Sequence, residues 1–320
     1  MRVLSLFDGI SCGRVALERA GIPVEVYYSS EIDKYVMTVA QAMYPDTIQI
    51  GDVCKIDFTQ YVGKVDMIIG GSPCQDLSIA KQSRQGLHGE RSRLFWEYIK
   101  ALTIIKPKYF LLENVASMKQ EDRDAITAVL RGIYPETECI MINSALLSAQ
   151  QRKRYYWTNW RVEQPQDKGV LLKDVLETVG ATTENKAYAL TTRYSGYCFP
   201  HDHERHKKSG VFEPVRVGQI GKGGQGNRIY SVRGKSVCLN SNSGGRGAKT
   251  GLYKIDLPDG DYIVRKLTPR ECARLQTYPE RCFDVANISN EQWYKALGNG
   301  WTVDVIVHIL KELPEQKETK

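Results

Sequence analysis

The stretch MRVLSLFDGISCGRVALERAG, residues 1–21, contains the signals of a strand, a turn and a helix in that order. Val3 to Leu6 is a short apolar run, as in a buried strand, and Phe7-Asp8-Gly9 ends it. Gly13 to Ala20 carries apolar residues at helical spacing, and Gly21 ends that pattern. A strand followed directly by a helix is the first unit of an α/β sheet.

The same alternation of strand and helix signals continues to about residue 114. Asp33 is placed to cap a helix that stops before Pro45, and another helix is predicted from Leu94 to Ile105, before Pro107. The further predicted strands are Val24 to Tyr28, Thr47 to Ile50, Val65 to Ile69 and Tyr109 to Leu112. We therefore expect an α/β, Rossmann-like fold with a doubly wound, mostly parallel sheet.

Chemically useful side chains follow these strands at the points where they end. They are Asp8, Glu31, Asp52, Cys74 and Glu113. In an open parallel sheet, ligands bind beyond the carboxyl ends of the strands. The sequence therefore predicts a ligand site at this edge of the sheet.

The composition changes after about Gln164, where the chain becomes rich in Gly, Ser, Thr, Arg and Lys. Thr268-Pro269 then has the pattern of a helix start, with Thr268 as the cap and Pro269 in the first helical position. Short β-like runs in the intervening segment are Val232, Val237 to Leu239, and Leu252 to Ile255. We predict a catalytic and ligand-binding domain over 1–163, a smaller loop-rich domain over 164–262, and a segment over 263–320 that returns to the first domain.

Overall composition is that of a globular protein with a modest basic excess. Of the 320 residues, 44 are Lys or Arg and 37 are Asp or Glu, a formal net charge of +7, which weakly favours a polyanionic partner. The eight cysteines include no CxxC pair, so we expect free thiols. The early Asp8 is unlike a secretory signal, and no apolar run is long enough to span a membrane, so we expect a cytoplasmic protein.

Four residues form a candidate catalytic set. Cys74 follows Gly70-Gly71-Ser72-Pro73, a turn after a strand, although a cysteine by itself is more often inert and buried. Glu113 follows the fifth strand and could hold a proton. Arg152 and Arg154 point to the same face of an extended chain, where they could lower the pKa of a thiol and bind a carbonyl oxygen.

With these motifs in place, the sequence resembles the cytosine-5 DNA methyltransferase family. Pro-Cys-Gln, Glu-Asn-Val and Gln-x-Arg-x-Arg occur in the family's order, and the likeness covers nearly all of the chain except Gln164 to Asp261. The matching segments are Leu6 to Gly13, Gly71 to Gln75, Glu113 to Val115, Gln150 to Arg154, and Gly298 to Val303, with the helix from Thr268 to Tyr278 resembling the family's bracing helix.

The resemblance implies transfer of a methyl group from S-adenosyl-L-methionine to carbon 5 of a cytosine flipped out of duplex DNA. Cys74 would attack carbon 6, Glu113 would act at ring nitrogen 3, and Arg152 and Arg154 would hold the base. The implied cofactor residues are Phe7, Asp8, Gly9, Ile10, Ser11, Glu31, Ile32, Asp52, Val53, Pro73, Leu94, Asn299, Gly300 and Trp301.

Within that set, the resemblance gives some residues a specific role. Phe7 would lie against the adenine, and Gly9 would let the backbone approach the cofactor closely. Glu31 would bind the ribose hydroxyls, and Asp52 would accept from the adenine amino group.

DNA contacts are expected from two places. A long polar connection after Cys74 resembles the family's mobile loop, and the Gly-rich runs of the middle segment carry side chains that can read base edges or bind phosphates. The candidate DNA-binding residues are Gln75, Ser78, Lys81, Arg84, Arg228 and Arg246. Duplex DNA is thus the expected partner, with no obligatory protein partner and a monomeric enzyme.

The catalytic core resembles that of the vertebrate de novo DNA methyltransferases, while their chromatin-reading domains are missing. We therefore expect a stand-alone prokaryotic or phage-type enzyme. The segments that carry this likeness are Ser5 to Ile10, Ile69 to Ile79, and Arg93 to Phe95.

Three other functions and one metal site are alternatives to this interpretation. A tRNA cytosine-5 methyltransferase shares the Cys74 and Glu113 motifs, and a catalytically inactive DNA-binding paralogue would be expected to lose them. A nicotinamide dehydrogenase fails because Phe7-Asp8-Gly9-x-x-x-Gly13 is not a GxGxxG fingerprint. His201, His203 and His206 match no common zinc spacing, so no metal is expected.

Overall fold

A computed structural model describes residues 1–72, 93–177, 213–220, 224–239, 250–256 and 262–317. Its main feature is a seven-stranded sheet with the order β3-β2-β1-β4-β5-β7-β6. The strands are β1 (Arg2–Leu6), β2 (Val26–Ser30), β3 (Ile48–Gln49), β4 (Met67–Gly70), β5 (Tyr109–Val115), β6 (Glu138–Asn143) and β7 (Lys153–Thr158). Strands β1 to β5 pair in parallel, and β7 is antiparallel to both β5 and β6. The predicted mostly parallel, Rossmann-like sheet is confirmed.

Helices cover both faces of this sheet. Val3 belongs to an apolar cluster on one face, and Leu4 and Leu6 belong to the cluster on the other, as the two-residue period of a strand requires. The helices are α1 (Cys12–Ala20), α2 (Lys34–Met43), α3 (Arg93–Ile105), α4 (Gln120–Arg131), α5 (Pro269–Leu275), α6 (Cys282–Val285), α7 (Asn290–Asn299), α8 (Val303–Lys311) and α9 (Pro314–Lys317). Helix α8, near the end of the chain, packs directly against α1, near its beginning.

Local capping signals in the sequence predict two helix starts correctly. The Asp33 carboxylate accepts a hydrogen bond from the Tyr35 backbone N–H at 3.0 Å and begins α2. Thr268 caps α5, Pro269 is its first residue, and Glu271 completes a capping box by accepting from the Thr268 backbone N–H at 2.8 Å.

The strand boundaries near the predicted catalytic residues differ from expectation. Strand β5 does not end at Leu112 but continues through Val115, so Glu113 lies within the strand. Strand β7 begins at Lys153 and includes Arg154. The antiparallel pairing of β5 with β7 explains the extension of β5, because it supplies backbone partners to a residue whose charge alone argues against a strand.

A smaller sheet has the order β11-β10-β9-β8. Of the predicted β-like runs, Leu252 to Ile255 lies in a strand, whereas Val232 and Val237 to Leu239 do not. The strands are β8 (Arg216–Gln219), β9 (Arg228–Ser231), β10 (Leu252–Asp256) and β11 (Tyr262–Arg265). The boundaries of the three predicted segments stay predictions. Within the described part of the chain, no helix has the length and apolar character needed to cross a membrane.

One buried carboxylate joins the small sheet to α5. Glu271 has no exposed side-chain surface, and it accepts hydrogen bonds from both terminal nitrogens of Arg265 at 2.7 and 2.6 Å. It also accepts from the backbone N–H of Glu177 at 3.0 Å. Because a buried charge is costly without its partner, removal of Glu271 would leave the half-buried Arg265 guanidinium uncompensated.

We expect Glu271→Ala to lower the free energy of unfolding by about 3–5 kcal/mol, the usual cost of breaking a buried pair from one side. The matched control is Glu280→Ala, because Glu280 pairs with Arg274 at 2.7 Å but keeps 36% of its side chain exposed. That change should cost no more than about 1 kcal/mol. Urea denaturation of both variants measures the difference, and equal losses would contradict the assignment.

Candidate active site

The loop after β1 has an unusual backbone conformation. Phe7, Gly9 and Ser11 have φ angles of 60°, 59° and 56°, in the left-handed region. Glycine enters that region freely, but Phe7 and Ser11 do so at a cost. The surrounding structure must therefore hold the loop in this shape.

Asp8 provides that hold. Its carboxylate accepts hydrogen bonds from the hydroxyls of Ser5 at 2.6 Å, Ser11 at 2.5 Å, Tyr27 at 2.7 Å and Ser29 at 2.9 Å. Burial raises the pKa of Asp8, and the four hydroxyl donors partly oppose that rise. The carboxylate that the sequence suggested as a cofactor contact thus faces the interior and shapes the loop.

The second strand ends beside this loop. One oxygen of Glu31 accepts from the Gly9 backbone N–H at 2.9 Å, and the other accepts from the N–H groups of Ile32 at 2.7 Å and Asp33 at 2.9 Å. A Cβ atom built on Gly9 would meet no atom within 4 Å, so there is open space next to the loop. Ile32 borders it with a side chain that is 75% exposed, which is unusual for an isoleucine.

A second carboxylate lies after β3. Asp52 accepts from the Cys54 backbone N–H at 3.0 Å through one oxygen and caps a short 3₁₀ turn, and Val53 beside it is buried. Gly51 has a φ of 75° and open space at its Cβ position. The loops after these strands thus offer the carboxylates of Glu31 and Asp52, the exposed side chain of Ile32, and open space next to two glycines. These features fit a ligand that combines hydroxyl or amino donors with a flat apolar ring.

The remaining predicted cofactor residues have different surroundings. Ile10 is buried, and its carbonyl accepts from the Tyr278 hydroxyl at 2.6 Å. Leu94 is half-buried in the first turn of α3, and Asn299 is exposed at the end of α7. The structure therefore leaves Asn299 accessible and places Ile10 in the core.

Glu113 is held at both carboxylate oxygens. Arg154 Nε lies 2.9 Å from Oε1, and the Trp301 indole N–H donates to Oε2 at 3.1 Å. The side chains of Arg154 and Glu113 are only 15% and 11% exposed. The structure therefore brings together the predicted acid, one predicted arginine and a residue from the C-terminal segment.

Arg152 has a different environment. Its guanidinium donates to the carbonyls of Leu239 at 3.3 Å, Gly298 at 3.3 Å and Gly300 at 3.0 Å. It also donates to the Cys238 sulfur at 3.3 Å. Arg152 thus joins the small-sheet region to the C-terminal segment. These four hydrogen bonds all have acceptors within the protein.

Cys238 is a site residue that the sequence did not reveal. Burial alone would raise the pKa of its thiol, but Arg152 and Arg154 outweigh burial and lower the pKa below its ordinary value. No local motif surrounds Cys238, because its contact with the arginines arises only when residues about 85 positions apart meet in the fold. Trp301 and Glu113 both lie in motifs, but their contact with each other likewise arises only in the fold.

Several predicted residues lie outside the described part of the chain. They are Pro73, Cys74, Gln75, Ser78, Lys81, Arg84 and Arg246, together with His201, His203 and His206. Ser72, just before Pro73, is buried, and its hydroxyl lies 3.4 Å from the Asn114 side-chain nitrogen at the end of β5. Arg228 is half-buried and donates to the Gln225 side chain at 2.9 Å. Across the described ranges, no cluster of three or more His, Cys, Asp or Glu could hold a metal ion.

Known proteins resemble this chain over nearly its full length. Type II methyltransferase M.HhaI of Haemophilus parahaemolyticus is 30% identical in an alignment that covers 97% of this chain and 93% of the relative. Orphan methyltransferase M.SPRI of Bacillus phage SPR is 25% identical, covering 98% of this chain and 97% of the relative. The solved methyltransferase EhMeth of Entamoeba histolytica covers 100% of this chain and 99% of its own, with a TM-score of 0.71 at 17% identity, a likeness of fold.

A family profile, described as C-5 cytosine-specific DNA methylase, matches residues 1–315. The matched range contains both sheets, the Asp8 loop and the Glu113 site. The chain therefore belongs to the C-5 cytosine-specific DNA methylase family.

Proposed function

We propose that this protein transfers a methyl group from S-adenosyl-L-methionine to carbon 5 of cytosine in duplex DNA. The observation that carries the proposal is Glu113, held at both oxygens by Arg154 and Trp301 at the edge of the sheet. The chain leaves β4 at this same edge and enters Ser72-Pro73-Cys74, so a nucleophile and an acid would meet there.

The residues after β1, β2 and β3 fit the cofactor. In this proposal, Glu31 accepts from the ribose hydroxyls, Asp52 accepts from the adenine amino group, and Phe7 and Ile32 flank the ring. Gly9 leaves room for close approach, and Asn299, exposed at the end of α7, is a further candidate contact. When bound, the cofactor supplies an electrophilic methyl group attached to a sulfonium.

The chain's own residues then prepare the base. The Cys74 thiolate forms a bond to carbon 6, which places electron density on carbon 5, while Glu113 holds a proton at ring nitrogen 3. Carbon 5 would take the methyl group, and the donor would leave as a neutral thioether. Transfer of the carbon 5 proton to water then breaks the bond from sulfur to carbon 6 and restores the thiolate, while the proton at nitrogen 3 returns to Glu113. Arg154 orients Glu113, and Arg152 orders the backbone around the site.

Duplex DNA is the proposed substrate, in preference to tRNA. The family description names DNA, and the middle segment carries Gly-rich runs with side chains suited to groove contacts. In the described part of that segment, Arg228 and Gln225 form a hydrogen-bonded pair that could read a base edge together. An inactive paralogue is disfavoured because the chain retains all four candidate catalytic residues, Cys74, Glu113, Arg152 and Arg154.

The substrate is tested by incubating the protein with S-adenosyl-L-methionine carrying a labelled methyl group. We expect label to enter duplex DNA of mixed sequence, and the same DNA with 5-methylcytosine at every cytosine serves as the control. Transfer to tRNA at a higher kcat/KM than to duplex DNA would contradict the proposal and support the RNA alternative.

The nucleophile is tested with Cys74→Ser. We expect this variant to keep its fold and its cofactor affinity but to lose methylation, because a hydroxyl is a far weaker nucleophile than a thiolate. DNA containing 5-fluorocytosine should trap the wild-type protein covalently at Cys74, since fluorine cannot leave as the proton does. A trapped peptide that contains Cys238 instead would show that the other thiol of the site is the nucleophile.

The cofactor site is tested by thermal unfolding. A ligand that binds only the folded protein adds about 2.7 kcal/mol of stability at 100 times its Kd, so S-adenosyl-L-methionine should raise the Tm. Glu31→Ala should remove most of that rise, and the exposed Glu25→Ala, at the start of β2, should retain it. An equal rise in both variants would place the ligand elsewhere.

A further inference from the structure

The hydrogen bond from Trp301 to Glu113 connects two parts of the chain that are 188 positions apart. The family resemblance implies a cofactor contact for Trp301. Its indole N–H, however, points to the carboxylate of the predicted acid at 3.1 Å. An indole N–H can only donate a hydrogen bond. In this contact Trp301 is therefore always the donor and Glu113 always the acceptor.

The space around this contact is tight. A Cβ atom on Gly71 would lie 2.6 Å from Glu113 Oε2 and 3.0 Å from Trp301 Nε1. The first distance is shorter than real Cβ contacts and the second is at their tight limit, so the pair occupies the volume in front of Gly71. A side chain at position 71 would therefore push against the Glu113 carboxylate and the Trp301 indole.

The backbone that carries Trp301 is itself anchored. The Gly300 carbonyl accepts from Arg152 at 3.0 Å and from the Gln276 side chain at 3.2 Å. Thr302, on the other side of Trp301, donates its hydroxyl to Gln276 at 2.8 Å. The indole is thus presented from a segment fixed on both sides, which makes it a rigid donor.

The contact of Arg154 with Glu113 Oε1 leaves a role for a donor at the second carboxylate oxygen. Arg154 contacts Oε1 through Nε, and a carboxylate held at one oxygen can still turn about its terminal bond. The second donor, at Oε2, removes that freedom. A proton that Glu113 holds for a ring nitrogen must point along one direction, so rotation would reduce the productive fraction.

We propose that Trp301 is a positioning residue for the acid: its indole N–H fixes the plane of the Glu113 carboxyl group. This inference rests on the proposed function and adds a role for Trp301 besides cofactor contact. The two roles separate kinetically, because loss of cofactor contact raises the KM for S-adenosyl-L-methionine, whereas misorientation of the acid lowers kcat.

The contact is tested first without any reaction. The sequence contains five tryptophans, so protein with ¹⁵N-labelled tryptophan gives five indole N–H resonances, and Trp301→Phe identifies that of Trp301 by its loss. Glu113→Gln, which preserves size, should shift this resonance and leave the other four in place. An unmoved Trp301 resonance overturns the inference, whatever the activity of the protein.

The consequence is tested by the kinetics of Trp301→Phe, which keeps an aromatic ring but no N–H. We expect kcat to fall by roughly tenfold to a hundredfold, as small misplacements of catalytic groups do, with a much smaller change in the cofactor KM. The matched control is Trp160→Phe, because Trp160 is buried and donates to the Ile309 carbonyl at 3.1 Å, away from the site. Its kcat should stay close to wild type.

A double variant distinguishes positioning from other effects. In a Glu113→Gln background there is no acid to orient, so adding Trp301→Phe should lower single-turnover methylation by no more than about twofold. An undiminished effect in that background, or a kcat of Trp301→Phe equal to wild type, overturns the inference while leaving the proposed function intact. A wild-type protein that methylates neither DNA nor tRNA instead removes the proposed function, and with it any catalytic role for the contact.

Discussion

The ion pair between Arg154 and Glu113 joins neighbouring strands at the point where the sheet changes from parallel to antiparallel. Both side chains are largely withdrawn from water, and such a pair is favourable only when good geometry and further hydrogen bonds compensate the lost hydration. The pairing of β5 with β7 supplies the geometry, and the Trp301 indole supplies a further donor. An acid in the middle of a buried strand is therefore possible here because the strand beside it carries the matching cation.

The C-terminal segment contacts both parts of the proposed site that the first half of the chain contributes. Arg152 and Gln276 hold the Gly300 carbonyl, and the Tyr278 hydroxyl binds the carbonyl of Ile10 in the loop after β1. The C-terminal segment thus contacts the loop that Asp8 shapes through Tyr278 and the acid on β5 through Trp301. Both the proposed cofactor site and the proposed base site therefore depend on how this segment packs against the first half of the chain.

Local signals predicted the parts of the fold that depend on neighbours in sequence. Asp33 and Thr268 cap the helices that their patterns indicate, and the first five strands lie close to the predicted runs. The extension of β5 through Glu113 was not predictable, because a charged residue joins a buried strand only when a distant partner neutralises it. The sequence likewise does not show that Asp8 accepts from four hydroxyls, two of which, on Tyr27 and Ser29, belong to the next strand. The implied cofactor role of Asp8 stays a prediction.

The packing of α8 on α1 has a consequence for the order in which the protein forms. A ribosome makes residues 1–163, which contain the whole main sheet, well before it makes Tyr278, Gly300 and Trp301. Until those residues emerge, the loop after β1 and the acid on β5 lack their outer contacts, and an apolar face of the sheet stays exposed. Contacts between residues far apart in sequence also form slowly. The nascent chain therefore passes through a stage in which an apolar face of the sheet is exposed and prone to aggregation. We expect such a chain to bind chaperones during synthesis. Its site becomes complete only when the last helices pack against the first half of the chain.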